Sequence, residues 1–403
     1  MSAGALYRQF GPRGYQFVGV RSIFEGTVVE IRHAPGSLRC PVCRSSNVVR
    51  SGTSERIFRH LPFGSKPVSL LLDVQRIECQ DCPTIRQVRL GFAEERVSYT
   101  RAFERYVVEL SRAMTMQDVV NHLLIGWDTA KDIVKRNLER CFRKPKLRKL
   151  RQIAIDEISI GHGHQYLTVV LDLATGAVVF IGEGKGAEAL DPFWKRLRAS
   201  HAQIQAVAID MSKAYRKAVS ENLPKAAIIF DRFHVVKLFN EKLSNFRREL
   251  YRAANELERK VLKSTRWLLL KLPKNLDDRR NERQRLEQAL KINKPLATAY
   301  YMKEELRLFW EQDSKSEAKA FLKDWRARAW ASGIPMLQKF AWTLLEHEPG
   351  LLAWYDYPIS TGPLEGTNNK IKTLQRRAYG YRDREFFKLL IYNLHKTRYE
   401  LIG

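Results

Sequence analysis

Three acidic residues occupy positions suited to metal-dependent chemistry on phosphodiesters. Asp156 lies within an apolar run, Asp210 ends a second apolar run, and Glu365 begins a basic segment after a turn. A carboxylate within or at the end of a core strand is costly to bury unless it is paired or bound to a metal. Two-metal phosphoryl transfer needs carboxylates on different elements that converge on two divalent ions. Because magnesium prefers oxygen ligands, the sequence predicts two Mg²⁺ ions held by these three catalytic acids, with Mn²⁺ as the alternative metal.

A purely structural interpretation of the acids stays open at this stage. Asp210 could cap a helix that begins near Ser212, and Asp156 could be a core polar residue with satisfied hydrogen bonds. The strongly basic composition of the chain argues against a structural role for all three acids together.

Three other acidic residues compete for the same roles. Glu157 should point to the opposite face from Asp156 in a regular strand. Asp172 precedes a hairpin turn, where aspartate is common. Asp231 closes an apolar run and forms, with His234, a candidate auxiliary pair that supports the metal ligands or positions DNA. A capping aspartate beside a packed histidine explains the same two residues.

The chain is long and strongly basic. Its 403 residues suggest about two to four domains, and a hydrophobic content of 44% is ample for packed cores. Lys and Arg number 70 against 44 Asp and Glu, which gives a formal net charge of +26. This charge favours a nucleic-acid partner, although a soluble basic protein or a membrane-surface binder would share it. No apolar run has signal-peptide or membrane-spanning length, so we expect a cytoplasmic protein without a membrane partner.

Four cysteines form two Cys-x-x-Cys pairs, Cys40 with Cys43 and Cys79 with Cys82. Two such pairs complete a tetrahedral four-sulfur site, and they predict one structural Zn²⁺. The segment between the pairs is longer than the roughly 15–20 residues usual for this motif. Four free thiols in a strand-rich domain are the alternative, and a redox pair is less favoured.

A helix-turn-helix pattern follows the cysteine region. Residues 15–95 alternate in a strand-like way, and the apolar period becomes helical from Tyr99. Gly126 separates a short helix from a recognition helix over Trp127 to Arg140, and a basic linker follows at 141–151. A solvated basic face on a three-helix domain is the alternative. The residues predicted to bind DNA in these segments are Lys131, Lys135, Arg136, Arg140, Arg143, Lys144, Lys146, Arg148 and Lys149.

The next segment alternates between strands and helices. Three antiparallel strands followed by strand–helix units indicate an α/β fold of ribonuclease-H-like type. From Phe233 to about Glu346 the sequence is almost wholly helical. Strands are expected at 152–160, 165–172, 177–182, 204–210 and 226–231, with helices near 187–200 and 212–222. The helical stretch contains Trp267, Trp310, Trp325, Trp330 and Trp342, of which we expect most to be core and one to be a candidate for stacking on a displaced base.

The helix that begins near Glu365 carries side chains suited to holding a DNA strand beside the acid. A basic amphipathic helix that packs through Ile371 and Leu374 is compatible with the same residues. Its predicted DNA-binding residues are Asn368, Asn369, Lys370, Lys372, Arg376 and Arg377.

These segments resemble the ISL3 family of bacterial insertion-sequence transposases, within the Asp-Asp-Glu transposase superfamily. The similarity covers the cysteine module, the helix-turn-helix, and the segments at 155–157, 166–172 and 210–215. It continues through 231–234, and it is most specific at 363–372 and 377–381. The resemblance implies that Asp156, Asp210 and Glu365 are the catalytic acids of a ribonuclease-H-like core. It also implies that the helical stretch before Glu365 is an insertion in that core, and that the long zinc spacer is a family feature.

The predicted architecture is therefore multidomain α+β, with a β-rich zinc module, a helix-turn-helix and an interrupted ribonuclease-H-like core. The expected domains are a zinc-binding ribbon-like domain (1–95), a helix-turn-helix (96–140), a basic linker (141–151), the first part of the core (152–235), a helical insertion (236–350) and the C-terminal core helices with Glu365 (351–403).

The expected function is a DNA transposase of the bacterial nucleoid. It would bind the terminal inverted repeats of an insertion sequence, cleave a strand at each end and join the freed 3′-hydroxyl to target DNA. Double-stranded DNA is the expected partner, and joining two ends calls for a homodimer or larger assembly. A catalytically silent DNA-binding regulator derived from such an enzyme is the alternative, and a structure-selective nuclease of the same fold is a third.

Overall fold

The computed structural model describes residues 7, 11–23, 26–142, 145–161, 163, 165–263 and 265–395. The chain forms two compact units, one made of residues 1–144 with 374–403 and the other of residues 145–373. Within the described ranges, no helix combines the length and the apolarity that crossing a membrane requires.

The first unit begins with a five-stranded sheet, as the alternating pattern predicts. Its strands lie in the order β1-β2-β4-β3, and β5 pairs with β4. β2 and β4 are parallel, while the other pairs are antiparallel. The strands are β1 (Tyr15–Ile23), β2 (Gly26–His33), β3 (Val48–Phe63), β4 (Lys66–Cys79) and β5 (Ile85–Gln87).

One face of this sheet forms a small apolar core. Alternate residues of β4, such as Leu70, Leu72 and Val74, are almost fully buried and pack with Phe58 of β3. This period of two is the signature of a strand with one face on a core. Cys40 is buried in the same cluster, so the first cysteine pair is anchored to the sheet.

Three helices follow, and they confirm the helix-turn-helix: α1 (Arg101–Ala113), α2 (Met116–Leu123) and α3 (Trp127–Phe142). Thr115 and Asp118 form a reciprocal capping box at the start of α2. α2 ends at Leu123, and Leu124 adopts the left-handed conformation at its C-cap, so the turn is made before Gly126. α3 continues to Phe142, two residues into the segment predicted as linker.

A helix from the C-terminal segment completes this domain. Phe386 and Leu389 belong to the apolar core formed by Phe103, Val134 and Leu138 of the helix-turn-helix. Through these residues, α14 (Arg384–Tyr392) packs as a fourth helix against the helix-turn-helix of the first unit.

The second unit contains the mixed sheet expected of a ribonuclease-H-like core. The strand order is β10-β9-β6-β7-β8, with β6, β7 and β8 antiparallel and β9 and β10 parallel to β6. Helices α4 (Asp191–Ser200) and α5 (Lys213–Asn222) connect the later strands. The strands are β6 (Gln152–Ser159), β7 (Tyr166–Asp172), β8 (Val178–Glu183), β9 (Ala206–Ile209) and β10 (Ala227–Phe230).

The predicted helical stretch is also observed. It comprises α6 (Arg232–Ala253), α7 (Glu256–Lys263), α8 (Arg266–Leu270), α9 (Glu282–Ile292), α10 (Lys294–Leu306), α11 (Lys315–Ala331) and α12 (Pro335–Leu352). α13 (Gly362–Arg377) then begins with the residues around Glu365.

The expectation that most tryptophans of this stretch are core is wrong. Trp310 and Trp325 are buried, whereas Trp267, Trp330 and Trp342 are exposed. Trp330 and Trp342 instead contact each other edge to face, with ring centroids 6.0 Å apart.

Candidate active site

Strands β6 and β9 bring two of the predicted acids to the same level of the sheet. The two strands are parallel neighbours, and Ala154 is paired with Ala208. Asp156 and Asp210 each lie two residues beyond that pair, and Asp210 directly follows the last residue of β9. Both acids are partly exposed and lie at the carboxyl end of β9, the edge where open α/β sheets bind ligands.

Helix α13 meets the first of these acids through an asparagine. The Nδ2 atom of Asn368 donates a hydrogen bond to Oδ2 of Asp156, with 2.9 Å between the two atoms. Asn368 is only 8% exposed. Glu365 precedes it by three residues, a spacing that puts two side chains on one helical face. The face of α13 that carries Glu365 therefore packs toward Asp156.

A buried aspartate and a histidine lie beside the acids. His234 Nδ1 is 3.3 Å from Asp231 Oδ2, and the backbone N–H of Thr361 donates to Asp231 Oδ1 at 3.4 Å. Burial favours the neutral form of both side chains, but their mutual interaction outweighs it. The pKa of Asp231 is lowered, and the pKa of His234 is raised by Asp231 and then by Asp156 and Asp210. Both shifts favour the ionic form of the pair, and His234 is within the electrostatic reach of both predicted ligands.

The environment of Asp156 opposes its negative charge. Burial raises the pKa of Asp156, the backbone N–H of Glu157 and the charge of His234 lower it, and the charge of Asp210 raises it again. The net direction is upward. Burial and the neighbouring carboxylate of Asp210 therefore disfavour the anionic form of Asp156.

The polar atoms around the acids suit a hard cation. Oδ1 of Asn368 and Oγ1 of Thr361 are buried without a hydrogen-bond partner among the described residues. Unsatisfied buried oxygens call for an explanation such as an ion or water. Asp156, Asp210 and Glu365 do not have ligand atoms all within 4.8 Å of one another. The three side chains therefore do not form a closed metal-ligating cluster in this structure.

The competing acids have other partners. Glu157 Oε2 accepts from the Tyr215 hydroxyl at 3.3 Å, and burial raises the pKa of Tyr215 to about 12. Asp172 accepts from the backbone of Ala174 and from Thr175, so its predicted turn role is confirmed. The Oδ1 atom of Asp210 accepts from the N–H of Ser212 at 2.9 Å. This bond forms a turn ahead of α5, whose N-cap is Ser212 and has no side-chain cap bond, so the capping role left open for Asp210 is not observed.

The four cysteines of the first unit converge as a zinc site requires. The Sγ atoms of Cys40 and Cys82 are 3.6 Å apart, and those of Cys43 and Cys79 are 3.5 Å apart. All four sulfurs lie within 4.8 Å of one another. Tetrahedral Zn–S bonds of about 2.3 Å place sulfurs about 3.8 Å apart. The arrangement therefore fits one structural Zn²⁺, and the long spacer is accommodated as the strands β3 and β4.

Two of the predicted DNA-binding lysines have an acidic partner that the sequence analysis missed. Lys131 and Lys135 of α3 lie 3.0 and 2.9 Å from Oδ2 of Asp383, which also caps α14. Arg140 pairs with the buried Glu104. Arg136 is exposed. The face of α3 that carries the lysines is thus engaged with the C-terminal segment.

The other predicted DNA-binding residues vary in exposure. Arg143 and Lys144 lie outside the described residues. Arg377 donates to the backbone oxygen of Ala113, whereas Asn368 is buried against Asp156. The exposed ones are Lys146, Arg148, Lys149, Asn369, Lys370, Lys372, Arg376 and Arg377.

Comparison with known families covers the same three parts of the chain. The family model for the catalytic domain, described as a transposase of the ISL3 Asp-Asp-Glu type, matches residues 153–391. A model for the zinc-finger of transposase IS204/IS1001/IS1096/IS1165 matches residues 37–82. A model for the helix-turn-helix domain of transposase family ISL3 matches residues 88–136.

Individual relatives agree with these matches. The chain is 35% identical over 345 residues to the transposase for insertion sequence element IS1001 of Bordetella parapertussis, covering 84% of each protein. It is 31% identical over 373 residues to the transposase for insertion sequence element IS1557 of Mycobacterium tuberculosis, covering 85% of this chain and 82% of that protein. With its zinc ribbon, its helix-turn-helix and its mixed catalytic sheet, the chain belongs to the ISL3 family of Asp-Asp-Glu transposases.

Proposed function

We propose that this transposase binds the terminal inverted repeats of an insertion sequence, cleaves a strand at each end and joins the freed 3′-hydroxyl to target DNA. The observation that carries the proposal is the hydrogen bond from Asn368 to Asp156. It ties the helix of Glu365 to the strand of Asp156, and β9 supplies Asp210 beside that strand. We propose that these three elements, distant in sequence, contribute one carboxylate each to one edge of the sheet.

The proposed ligands of divalent metal are Asp156, Asp210 and Glu365, with Mg²⁺ or Mn²⁺ as the ion. When bound, two such ions activate the attacking oxygen and stabilise the leaving oxygen of a phosphodiester. The amide of Asn368 holds the carboxylate of Asp156 in one orientation. His234 is held by Asp231, and in its protonated form it can donate a hydrogen bond to a phosphate oxygen near the acids.

The DNA would be held by basic side chains on both units. Lys370 and Lys372 follow Glu365 on α13, and Lys146, Arg148 and Lys149 precede β6; all five are exposed. Arg136 of α3 is an exposed candidate of the helix-turn-helix. Phosphate contacts of this kind fix the register of a duplex without reading its sequence.

Strand joining between two element ends requires both ends in one complex, so we propose a homodimer or larger assembly on DNA. Action on the bacterial nucleoid in the cytoplasm follows from the same proposal. The domain limits of the sequence analysis stay predictions, as does the role of the helical stretch as an insertion.

The test is cleavage of labelled element-end DNA by purified full-length protein with Mg²⁺ or Mn²⁺. Asp156→Asn, Asp210→Asn and Glu365→Gln should each abolish cleavage and joining while leaving DNA binding intact. Glu157→Gln is the matched control, because the Glu157 carboxylate adjoins Asp156 in the sequence but accepts a hydrogen bond from Tyr215 on α5. Cleavage that survives in one of the first three variants would remove that acid from the site. Binding by the wild-type protein without cleavage would favour the regulator.

A further inference from the structure

The first unit contains a large groove whose lining is rich in arginine. It has a volume of about 1240 Å³ and lies between strands β3 to β5 of the zinc ribbon and helices α1 and α3. Eight arginines and two glutamates line it, with no lysine, histidine or aspartate in the lining. A groove with this charge has the character of an anion-binding surface, because guanidinium groups pair bidentately with phosphate oxygens.

Half of these arginines have structural partners. Arg89, Arg101 and Arg140 each lie within ion-pair distance of a glutamate. Arg56 donates to the backbone oxygen of Val97 and stacks on a phenylalanine ring. These contacts hold the walls of the groove.

The other four arginines have no ion pair or hydrogen bond of their side chains within the part of the chain that the structure describes. They are Arg76 on β4, Arg86 on β5, Arg96 in the following loop and Arg136 on α3, and all four are exposed. Two come from the zinc ribbon, one from the connection and one from the recognition helix. The free guanidinium groups therefore surround the groove from both of its walls.

The two walls are fixed to each other within this unit. His60 of β3 bonds to the hydroxyl of Thr100, which caps α1, and Arg59 donates to the backbone of Leu123. The backbone N–H of Thr100 also donates to Arg59. Because ribbon and helix-turn-helix are joined by buried polar contacts, the groove is a preformed surface with a fixed spacing between its arginines.

We propose that this groove binds the sugar–phosphate backbone of double-stranded DNA, so that the zinc ribbon contacts DNA directly through Arg76 and Arg86. This inference rests on the proposed function and extends it to the ribbon. A small anion would satisfy one or two of the free guanidinium groups and leave the rest of an open groove of this size empty. A duplex carries one negative charge per about 1.7 Å of its axis, and it satisfies charges distributed over such a length.

The test is a salt titration of binding by the zinc-loaded full-length protein to an element-end duplex and to an unrelated duplex of equal length. The double variant Arg76→Gln/Arg86→Gln should bind both duplexes about tenfold or more weakly, and its salt slope should fall by about two. The preference for the element end should persist, because phosphate contacts carry no sequence information. The matched control is Arg32→Gln/Arg50→Gln, which removes two exposed arginines of the same sheet that do not line the groove.

Either of two outcomes would contradict the proposed DNA-binding role of the groove. They are unchanged binding by Arg76→Gln/Arg86→Gln and equal weakening in the control. Circular dichroism and zinc content establish that each variant is folded. The groove and the catalytic proposal fail separately. If the groove variant binds DNA normally and the wild-type protein cleaves normally, only the groove proposal is refuted. If that variant binds DNA more weakly and the wild-type protein does not cleave, only the catalytic proposal is refuted.

Discussion

Asn368→Leu removes the amide that orients Asp156 while nearly preserving the volume of the side chain. The lost interaction is a hydrogen bond to a carboxylate at 2.9 Å from a residue that is 8% exposed. Hydrogen bonds to charged groups contribute about 1.5–3 kcal/mol. If the full interaction is needed in the transition state, the cleavage rate should fall about 10- to 150-fold.

The assay is single-turnover cleavage of element-end DNA at saturating protein, with the dissociation constant for DNA measured separately. The sequence predicts that Asn368 contacts DNA, whereas its bond to Asp156 indicates a positioning role. A positioning residue lowers the rate at saturation, while a DNA contact weakens binding and leaves the saturated rate intact. Asn369→Leu is the matched control, because the neighbouring asparagine is exposed.

Two results would refute the positioning role of Asn368. One is a saturated rate within about twofold of wild type in Asn368→Leu while Asp156→Asn is inactive. The other is an equal loss of rate in Asn369→Leu, which would indicate a general disturbance of α13. A raised metal requirement in Asn368→Leu alone would further link the amide to the ligand that it holds.

Three other predictions concern stability. Chelation of zinc or the substitution Cys79→Ser should unfold the ribbon and abolish DNA binding. Circular dichroism would detect the unfolding, and metal analysis of the purified protein should find about one zinc per chain. The pKa of Asp383 is lowered, first by the backbone N–H of Phe386 and then by Lys135 and Lys131. The stability that ionised Asp383 contributes to the folded protein is therefore present above the usual aspartate pKa near 4 and is lost as the pH falls. Asp383→Ala should therefore cost about 1–2 kcal/mol at pH 7, and the difference from wild type in urea unfolding should shrink below about pH 4. In α12, an added Cβ at Gly350 would lie 2.4 Å from the ring of Phe230, so Gly350→Ala should lower the melting temperature of the second unit.

The elements of the fold follow from local sequence patterns. The hairpin of β7 and β8 follows from two continuous apolar runs around a Thr-Gly turn, and the helix-turn-helix follows from apolar spacing of three and four. Local patterns do not specify which strands become neighbours. The parallel pairing of β6 with β9, which brings Asp156 beside Asp210, joins segments separated by a hairpin and a helix. The sequence alone could only propose that β6 and β9 are neighbours.

Side-chain partners were harder to predict than elements. Lys131 and Lys135 lie on a basic helical face of the kind that contacts DNA. In the structure they pair with Asp383, which lies about 250 positions later in the chain and could not be predicted as their partner. Trp330 and Trp342 are exposed although aromatic residues of helices usually lie in the core, because they occupy the outer faces of a helical hairpin. Asn368 offered a usable signal, since its spacing of three from Glu365 places both on one face of α13.

The electrostatics of the site connect its two proposed ligands, metal and DNA. His234 is the positive group that acts on Asp156, and it also compensates Asp231 and Asp210. Even a fully protonated His234 would not offset three carboxylates, and burial already favours the neutral form of Asp156. A phosphodiester approaching these acids would be repelled unless a cation compensates them first, however basic the rest of the chain is. On the proposed function, the +26 charge would attract DNA to the protein, while admission of a phosphate to the acids would depend on metal. Metal should consequently affect cleavage far more than overall affinity for DNA.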